Sequence, residues 1–315
     1  MELRQLRSLI ALVDGGFSVT RAAQAVHLVQ PAVSQHLRQL EDELGTPLFL
    51  RHGKRLLGLT EAGLQVVQHA RNALADTANI QAIGRDHAEE SRGVLRIGTT
   101  HTQARYVLPP VLRAFNTAYP DVEVQIHQAT PAQLVEAALA DRIDLAICTE
   151  AIADHPDLAA FPAYRWNRCL IAPHGHPVLK RKPISLEVLC EYPIVTYVFG
   201  FTGRRNLSTS FAKLGLRPQV VLSAADTDVI KTYVREGMGI GIIAALAYQP
   251  DQDADLGRRD LSHLFPWEVT RIAYPKRKYV RRFQQRFMDL FQQEVDRVGK
   301  AHGLWRVSRT PGAEK

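Results

Sequence analysis

Residues 18–44 read SVTRAAQAVHLVQPAVSQHLRQLEDEL, and this stretch decides the fold of the amino-terminal region. Its apolar residues recur at helical spacing, first over a short segment and then over a longer one. Alanines in the first segment allow two helices to approach closely. Pro31 suits the first turn of the second helix, and Gly45 suits its end. The stretch therefore predicts two helices joined by a tight turn.

The second helix carries polar residues on the face away from its apolar stripe. It begins with Gln30 and Pro31, and its outward side chains that can reach base edges or phosphates in a major groove are Gln30, Ser34, Gln35 and Arg38. Residues 47–60, PLFLRHGKRLLGLT, then predict two strands around a basic turn, so Arg51 and Lys54 are expected to touch the DNA backbone. A winged helix-turn-helix is favoured over a plain helical hairpin with a solvated polar face.

Residues 1–65 resemble the LysR-type transcriptional regulators. The shared pattern is an alanine-rich first helix, a Gln-Pro-Ala-x-Ser start, a Leu-Glu-x-x-Leu-Gly end, and the later Leu-Phe-x-Arg and Leu-Thr-x-x-Gly. The resemblance implies a DNA-binding domain over residues 1–60 that reads a double-stranded promoter operator. One position departs from the pattern, because Val29 stands where the family usually has a Ser or Thr that caps the helix.

Residues 61–90 predict one long helix with an apolar stripe and no proline. A stripe this long cannot be buried inside a small winged domain, so pairing with a second copy explains it best. The resemblance implies the same, since this segment is the dimerisation linker in LysR-type regulators. We expect a homodimer or homotetramer; packing within the chain's own fold is the alternative.

Composition bounds the remaining possibilities. A chain of 315 residues with 46% hydrophobic residues is long enough for two or three domains. The net charge is +2 over residues 1–60, −2 over residues 61–275 and +7 over residues 276–315.

No apolar run has membrane-spanning length and no signal peptide is recognised, which predicts a cytoplasmic protein without membrane contact. Cys148, Cys169 and Cys190 lack the spacing of a zinc site and are expected to be buried thiols, with no metal and no cofactor.

Strand and helix patterns alternate after residue 90, which predicts an α/β fold with mainly parallel sheets. Two such blocks fit the two-lobed, periplasmic-binding-protein-like effector domain of LysR-type regulators. The expected division is 91–162 with 267–295 for lobe I, 163–266 for lobe II, and 296–315 for a basic tail.

Hydroxyl and amide side chains gather at predicted strand ends, where ligands collect in open α/β sheets. Thr100, Thr102 and Gln103 follow the first strand of lobe I, and Thr149 ends another strand. Thr202 lies across the predicted cleft in a glycine-bracketed turn. Neutral donors suit an oxyanion such as sulfate, which only accepts hydrogen bonds at neutral pH.

Several longer stretches resemble the CysB branch of the LysR-type family. They are TTHTQARYVLP, WNR at 166–168, PIVTYVFGFTGR and ADTDVIKTYVREGMGIGIIA. The branch implies control of sulfur and cysteine assimilation genes, contact with RNA polymerase, and sulfate, thiosulfate or O- or N-acetylserine as effector. It also implies that the effector is held by Thr100, Thr102, Gln103, Thr149 and Thr202, with Trp166 lining the cleft. An acetylserine ammonium would need a carboxylate, for which Asp226, Asp228 and Glu150 are the candidates.

Catalytic motifs are missing from the sequence. His101 is a conceivable base, but no activated nucleophile, paired carboxylates or phosphate-binding glycine loop accompanies it. We therefore predict no catalytic residues. The competing interpretation is a cytosolic solute-binding or transferase-like protein without sequence-specific DNA binding.

Overall fold

The computed structural model describes residues 1–53, 55–88, 92–153, 155–198, 204–302 and 305–306. Lys54 and Thr202, two of the predicted binding residues, lie outside the described residues. The chain forms two compact units: Met1–Glu89 with Arg277–Tyr279, and Glu90–Lys276 with Val280–Lys315.

The first unit contains the predicted helix pair and wing. Its elements are α1 (Leu3–Asp14), α2 (Val19–Ala25), α3 (Gln30–Leu44), β1 (Phe49–His52), β2 (Arg55–Leu59) and α4 (Glu61–His87). Ala22 and Ala23 are buried in the same apolar cluster as Leu40 of α3, as expected for closely packed helices. The strands β1 and β2 pair antiparallel, with His52 opposite Arg55 at the turn.

Helix α4 starts against the wing and needs a glycine to do so. The Thr60 hydroxyl accepts a hydrogen bond from the Gly63 amide at 3.0 Å and donates one to the Pro47 carbonyl at 2.8 Å. A Cβ atom on Gly63 would lie 2.1 Å from the Leu48 carbonyl oxygen. The first turn of α4 therefore approaches the wing backbone more closely than any other residue permits.

Much of the apolar stripe on α4 is uncovered in the protomer. Leu64, Ile80 and Ile83 are 61%, 70% and 40% exposed. Asn79, on the same helix, donates from Nδ2 to the Arg277 carbonyl at 2.7 Å and accepts from the Tyr279 amide at 2.8 Å. These two bonds fix residues 277–279 to α4 within the first unit.

The second unit alternates strands and helices. In chain order it contains β3 (Gly93–Thr99), α5 (His101–Tyr106), α6 (Leu108–Ala118), β4 (Val122–Gln128), α7 (Pro131–Leu139), β5 (Leu145–Cys148), β6 (Leu158–Trp166), β7 (Arg168–Pro173), α8 (Leu186–Cys190), β8 (Ile194–Tyr197), α9 (Arg204–Lys213), β9 (Val220–Ala224), α10 (Thr227–Arg235), β10 (Ile240–Ala244), β11 (Leu256–Asp260), β12 (Glu268–Pro275), α11 (Arg282–His302) and β13 (Trp305–Arg306). Short 3-10 turns follow β7 and β10.

Two mixed sheets organise these elements into two lobes. The first lobe is built on a six-stranded sheet in the order β13-β6-β12-β5-β3-β4, and the second on a five-stranded sheet in the order β11-β7-β10-β8-β9. Among the described strands of the two sheets, the parallel pairs are β3 with β4 and β5, and β8 with β9 and β10. The expectation of mainly parallel sheets was therefore wrong, because β7 and β12 enter the interior of their sheets from the other lobe and run antiparallel to both neighbours.

The chain crosses between the lobes twice, and a buried ion pair joins the two crossings. Strand β6 stays in the first sheet to Trp166, beyond the division expected after residue 162, and β7 starts at Arg168. The return crossing ends where β12 starts at Glu268. Arg168 Nη2 lies 2.7 Å from Glu268 Oε1, with the two side chains 1% and 6% exposed. Asn206 Nδ2 donates to the other carboxylate oxygen of Glu268 at 3.0 Å.

A single apolar cluster runs from the first lobe into the second. It includes Phe115 and Phe287 from the first lobe and Tyr197, Ile230 and Ile243 from the second. The lobes therefore share a core. Among the helices that the structure describes, none combines the length and the apolar character needed to cross a membrane.

Candidate functional site

Helix α3 presents its polar residues on one exposed face. Gln30, Pro31, Gln35 and Arg38 are exposed and Ser34 is half-buried. The opposite face, formed by Val33, Leu37 and Leu40, is buried. Positions 31, 34, 35 and 38 follow the spacing of one helix face, so their side chains project together. Gly45 ends the helix in the left-handed region, with φ of 64°.

The wing is tied to α3 through Glu41. Arg51 of β1 forms an ion pair with Glu41 and lies over the Phe49 ring, 6.0 Å from its centroid. Glu41 Oε1 also accepts a hydrogen bond from the Leu48 amide at 2.8 Å. Arg51 thus positions the wing as well as presenting a side chain that is 45% exposed.

The start of α3 is weakly capped. Val29 occupies the N-cap position, is 68% exposed, and makes no side-chain capping bond with the described residues.

We expect Val29→Ser to raise the free energy of unfolding of the first unit by about 1 kcal/mol, because a hydroxyl there caps free amides. The same change should tighten binding to a duplex of the protein's own promoter, measured by fluorescence anisotropy. Val29→Ala is the control, and a serine variant that binds no better than the alanine variant contradicts the prediction.

Threonines at the end of β3 differ in how their hydroxyls are engaged. Thr99 Oγ1 donates to the Ile147 carbonyl at 2.8 Å, which links β3 to β5. Thr100 is buried at the N-cap of α5, where its side chain makes no capping bond to a described amide. Thr102 is 1% exposed, and its Oγ1 has no hydrogen-bond partner among the described residues. Thr102 therefore holds a buried hydroxyl whose hydrogen-bonding capacity is unused.

Gln103, Thr149 and Trp166 are brought together by a residue that the sequence did not suggest, Thr270. Gln103 Nε2 lies 3.5 Å from Thr270 Oγ1, and its Oε1 accepts from the Tyr164 phenol. The Thr149 and Thr270 hydroxyls are 3.2 Å apart, and the Trp166 indole donates to Thr149 at 3.3 Å. Trp166 is fully buried rather than at an open cleft wall. The network links α5 to β6 and β12, and it leaves both ends of the Gln103 amide bonded within the protein.

Thr270 and Tyr164 could not be recognised from sequence position. Thr270 lies on β12, where buried and half-buried residues alternate from Glu268 to Ile272. That alternation marks Thr270 as inward-facing, but it does not say which strand lies beside it.

The second lobe contributes Tyr197 near the same position. Its phenol oxygen lies 2.6 Å from Thr227 Oγ1 and accepts from the Ala244 amide at 3.1 Å. Burial raises the pKa of Tyr197, while hydrogen bonding with Ala244 and Thr227 opposes that rise without cancelling it. The phenol is therefore neutral at physiological pH.

Carboxylates near this region are engaged within the protein. Asp226 caps α10 by accepting from the Val229 amide at 2.8 Å, and Asp228 accepts from the Tyr106 phenol at 2.5 Å. Asp226 and Asp228, both expected as partners of an acetylserine ammonium, therefore have hydrogen-bond partners within the protein.

The thiols behave nearly as expected: burial raises the pKa of Cys148 and of Cys169 to about 12, whereas Cys190 is half-buried rather than buried.

Family models match both parts of the chain. Residues 3–64 match the bacterial regulatory helix-turn-helix protein, lysR family, and residues 88–296 match the LysR substrate binding domain. The chain belongs to the LysR family. It is therefore a DNA-binding transcriptional regulator, and the predicted LysR-type fold and function are confirmed.

Two curated relatives of this LysR-family regulator match nearly its whole length. The HTH-type transcriptional regulator CysB of Haemophilus influenzae is 43% identical over 306 residues, covering 96% of this chain and 94% of that protein. The HTH-type transcriptional regulator SsuR of Burkholderia cenocepacia is 42% identical, covering 97% of this chain and 99% of that protein. The predicted likeness to the CysB branch is confirmed.

Solved structures agree with this placement in the LysR family. The cofactor-binding domain of the Cbl transcriptional regulator is 36% identical, with a TM-score of 0.63 over 68% of this chain and 95% of that one. A full-length OxyR variant from Pseudomonas aeruginosa is 21% identical, with a TM-score of 0.69 over 94% of this chain and 97% of that one. At this identity the likeness shows only that the two chains share a fold.

Proposed function

We propose that this LysR-family regulator controls sulfur and cysteine assimilation genes in response to a sulfate-type anion or an acetylserine. The CysB and SsuR relatives support the choice of branch. The residues that we assign to the effector site are Thr100, Thr102, Gln103, Thr149, Trp166 and Thr202, of which Gln103, Thr149 and Trp166 support the site through their network with Thr270. A solute-binding or transferase-like protein without DNA binding is not favoured, because the helix-turn-helix family model matches residues 3–64.

The observation that carries the effector site is the unused hydroxyl of Thr102. A buried hydroxyl without a partner costs about 1–3 kcal/mol, which a folded protein recovers when a ligand binds there. The Tyr197 phenol adds a second neutral hydroxyl to the same region. Neutral donors suit an anion that accepts hydrogen bonds, and sulfate and thiosulfate have that character.

The DNA-binding side of the proposal uses Gln30, Pro31, Ser34, Gln35, Arg38, Arg51 and Lys54. The exposed stripe of α4 supports pairing of two copies as a homodimer or homotetramer in the cytoplasm. Two copies place two recognition helices on half-sites about one helical turn apart. Effector binding then shifts how the copies sit on promoter DNA, where they recruit RNA polymerase.

Two substitutions separate the DNA and effector sites. Arg38→Ala is expected to weaken promoter binding about tenfold or more with sulfate affinity unchanged, since an arginine contact to a base or phosphate is lost. Thr102→Val is expected to weaken sulfate binding about tenfold while stability stays equal or rises, because valine removes the unsatisfied hydroxyl. Anisotropy with promoter duplex and calorimetric titration with sulfate, both on the full chain, measure these effects.

Controls of the same chemistry accompany both variants. Arg113→Ala removes an exposed arginine from α6 and should leave DNA affinity unchanged. Thr99→Val removes a hydroxyl that is bonded to Ile147, so it should cost stability and leave sulfate affinity unchanged. Loss of both affinities in either Arg38→Ala or Thr102→Val would contradict two separate sites.

A further inference from the structure

Helix α5 of the first lobe meets helix α10 of the second through a cluster of polar side chains. Tyr106 of α5 donates its hydroxyl to Asp228 Oδ1 at 2.5 Å and accepts from Lys231 Nζ at 3.3 Å. Arg105 Nε lies 3.4 Å and His101 Nε2 lies 3.8 Å from Asp228 Oδ2. Three side chains of one six-residue helix therefore converge on a single carboxylate of the other lobe. We call these contacts the α5–α10 contact.

The Lys231 ammonium of this contact is buried, which strengthens its electrostatic interactions. Lys231 is 3% exposed and Asp253 is 2% exposed, with 2.6 Å between Nζ and Oδ2. The ammonium also lies 5.1 Å from the centroid of the Tyr106 ring. Ion pairs and hydrogen bonds are stronger where water is excluded. The Tyr106 hydroxyl thus occupies a fixed place between one buried cation and one anion.

Asp228 is held in its charged form by the same neighbours. Burial alone raises the pKa of Asp228, but the hydrogen bond from Tyr106 and the charges of Lys231, Arg105 and His101 outweigh it, so this pKa lies below its ordinary value. A bond from a phenol to an ionised carboxylate is stronger than one between neutral groups. The contact is therefore favourable across the neutral pH range.

Thr102 and Tyr106 share one face of α5, because residues four apart on a helix are neighbours. The unused hydroxyl of Thr102 and the Tyr106 hydroxyl that contacts the other lobe therefore lie on the same short helix. The opposing residues on the second lobe are Tyr197 near Thr102, and Asp228 with Lys231 near Tyr106.

We propose that Tyr106 is a positioning residue of the effector site, which ties α5 to α10 and so sets the affinity for an anion that it does not touch. This inference rests on the proposed function, in which Thr102 binds the effector. A ligand that contacts both lobes binds best when they are held together. Weakening the α5–α10 contact lowers the fraction of molecules in that arrangement, and the apparent affinity falls in proportion.

The test is Tyr106→Phe in the full chain, because phenylalanine keeps the ring and removes only the hydroxyl. Without ligand, amide hydrogen exchange in α5 and α10 is expected to accelerate about tenfold or more, as for loss of a hydrogen bond to a charged group. Calorimetric titration is expected to show sulfate binding about tenfold more weakly. Tyr248→Phe is the matched control, since that hydroxyl donates to the Leu256 carbonyl at 3.0 Å within the second lobe. It should change neither measurement.

A second variant, Asp228→Ala, separates positioning from general destabilisation, because alanine removes the acceptor of the Tyr106 hydroxyl. If Tyr106 acts through Asp228, the double variant should bind sulfate about as weakly as Asp228→Ala alone, whereas independent roles would make the losses add. Additive losses, or unchanged exchange and sulfate affinity in Tyr106→Phe, would overturn the proposal. A wild-type chain that binds no sulfate overturns the anion part of the proposed function instead, and the exchange rates still decide whether Tyr106 joins the lobes.

Discussion

Replacing Glu268 with alanine is expected to lower the free energy of unfolding of the second unit by about 3–5 kcal/mol, as for other buried ion pairs that lose one partner. The substitution leaves the Arg168 guanidinium without its carboxylate at a position where it is 1% exposed. It also removes the acceptor for Asn206 Nδ2. Denaturant unfolding followed by tryptophan fluorescence measures the effect, because all three tryptophans, at positions 166, 267 and 305, belong to this unit.

Glu191→Ala provides the matched control for Glu268. Glu191 pairs with Arg181 at 2.8 Å, but the two side chains are 47% and 44% exposed. A surface pair of this kind contributes about 0–1 kcal/mol, so the control should unfold nearly as the wild type does. Equal losses in the two variants would mean that burial does not set the strength of the Arg168 pair.

Gly63→Ala is expected to destabilise the first unit by about 2–3 kcal/mol, because the added methyl group forces backbone atoms apart. The new Cβ would meet the Leu48 carbonyl oxygen at 2.1 Å and the carbonyl carbon at 3.1 Å. Backbone at the base of the wing cannot move aside as a flexible side chain can. In thermal unfolding followed by far-UV circular dichroism, helix should be lost at a lower temperature than in the wild type. The unfolding transition of the second unit, followed by tryptophan fluorescence, should be unchanged.

Gly84→Ala tests the same chemical change elsewhere in α4. No described heavy atom lies within 4 Å of a Cβ placed on Gly84. Alanine is the better helix former by about 0.8–1.0 kcal/mol, so this variant should gain stability or stay equal. If Gly84→Ala loses as much as Gly63→Ala, the cause is a general intolerance of α4 to alanine and not the approach to the wing.

Local patterns predicted the elements of the first unit well. Pro31 and Gly45 bracket α3 at the predicted ends, and Thr60 caps the predicted linker helix. These signals act over a few residues, through missing amides, left-handed backbone and side-chain caps. The departure at Val29 was also visible in the sequence, and its capping position is indeed without a side-chain bond among the described residues.

The candidate effector site was only partly predictable. Hydroxyls at strand ends led to the prediction of Thr100, Thr102 and Thr149, but the sequence did not show that Gln103 is bonded at both ends or that Trp166 is fully buried. Nor did it suggest Thr270, which joins Gln103 to Thr149 from a strand more than a hundred residues away. Such contacts depend on strand order, which local spacing does not encode.

The sequence by itself determined the helix-turn-helix, the wing, the long linker helix, the α/β character of the rest and the family to which the chain belongs. Their signals are periodicity, caps and short motifs, which are properties of neighbouring residues. Only the tertiary structure decided that Arg168 pairs with Glu268 across the two crossings, that Thr102 keeps an unused hydroxyl, and that Tyr106 reaches Asp228 of the other lobe. Those outcomes depend on which distant side chains share a water-excluded space, and packing alone decides that.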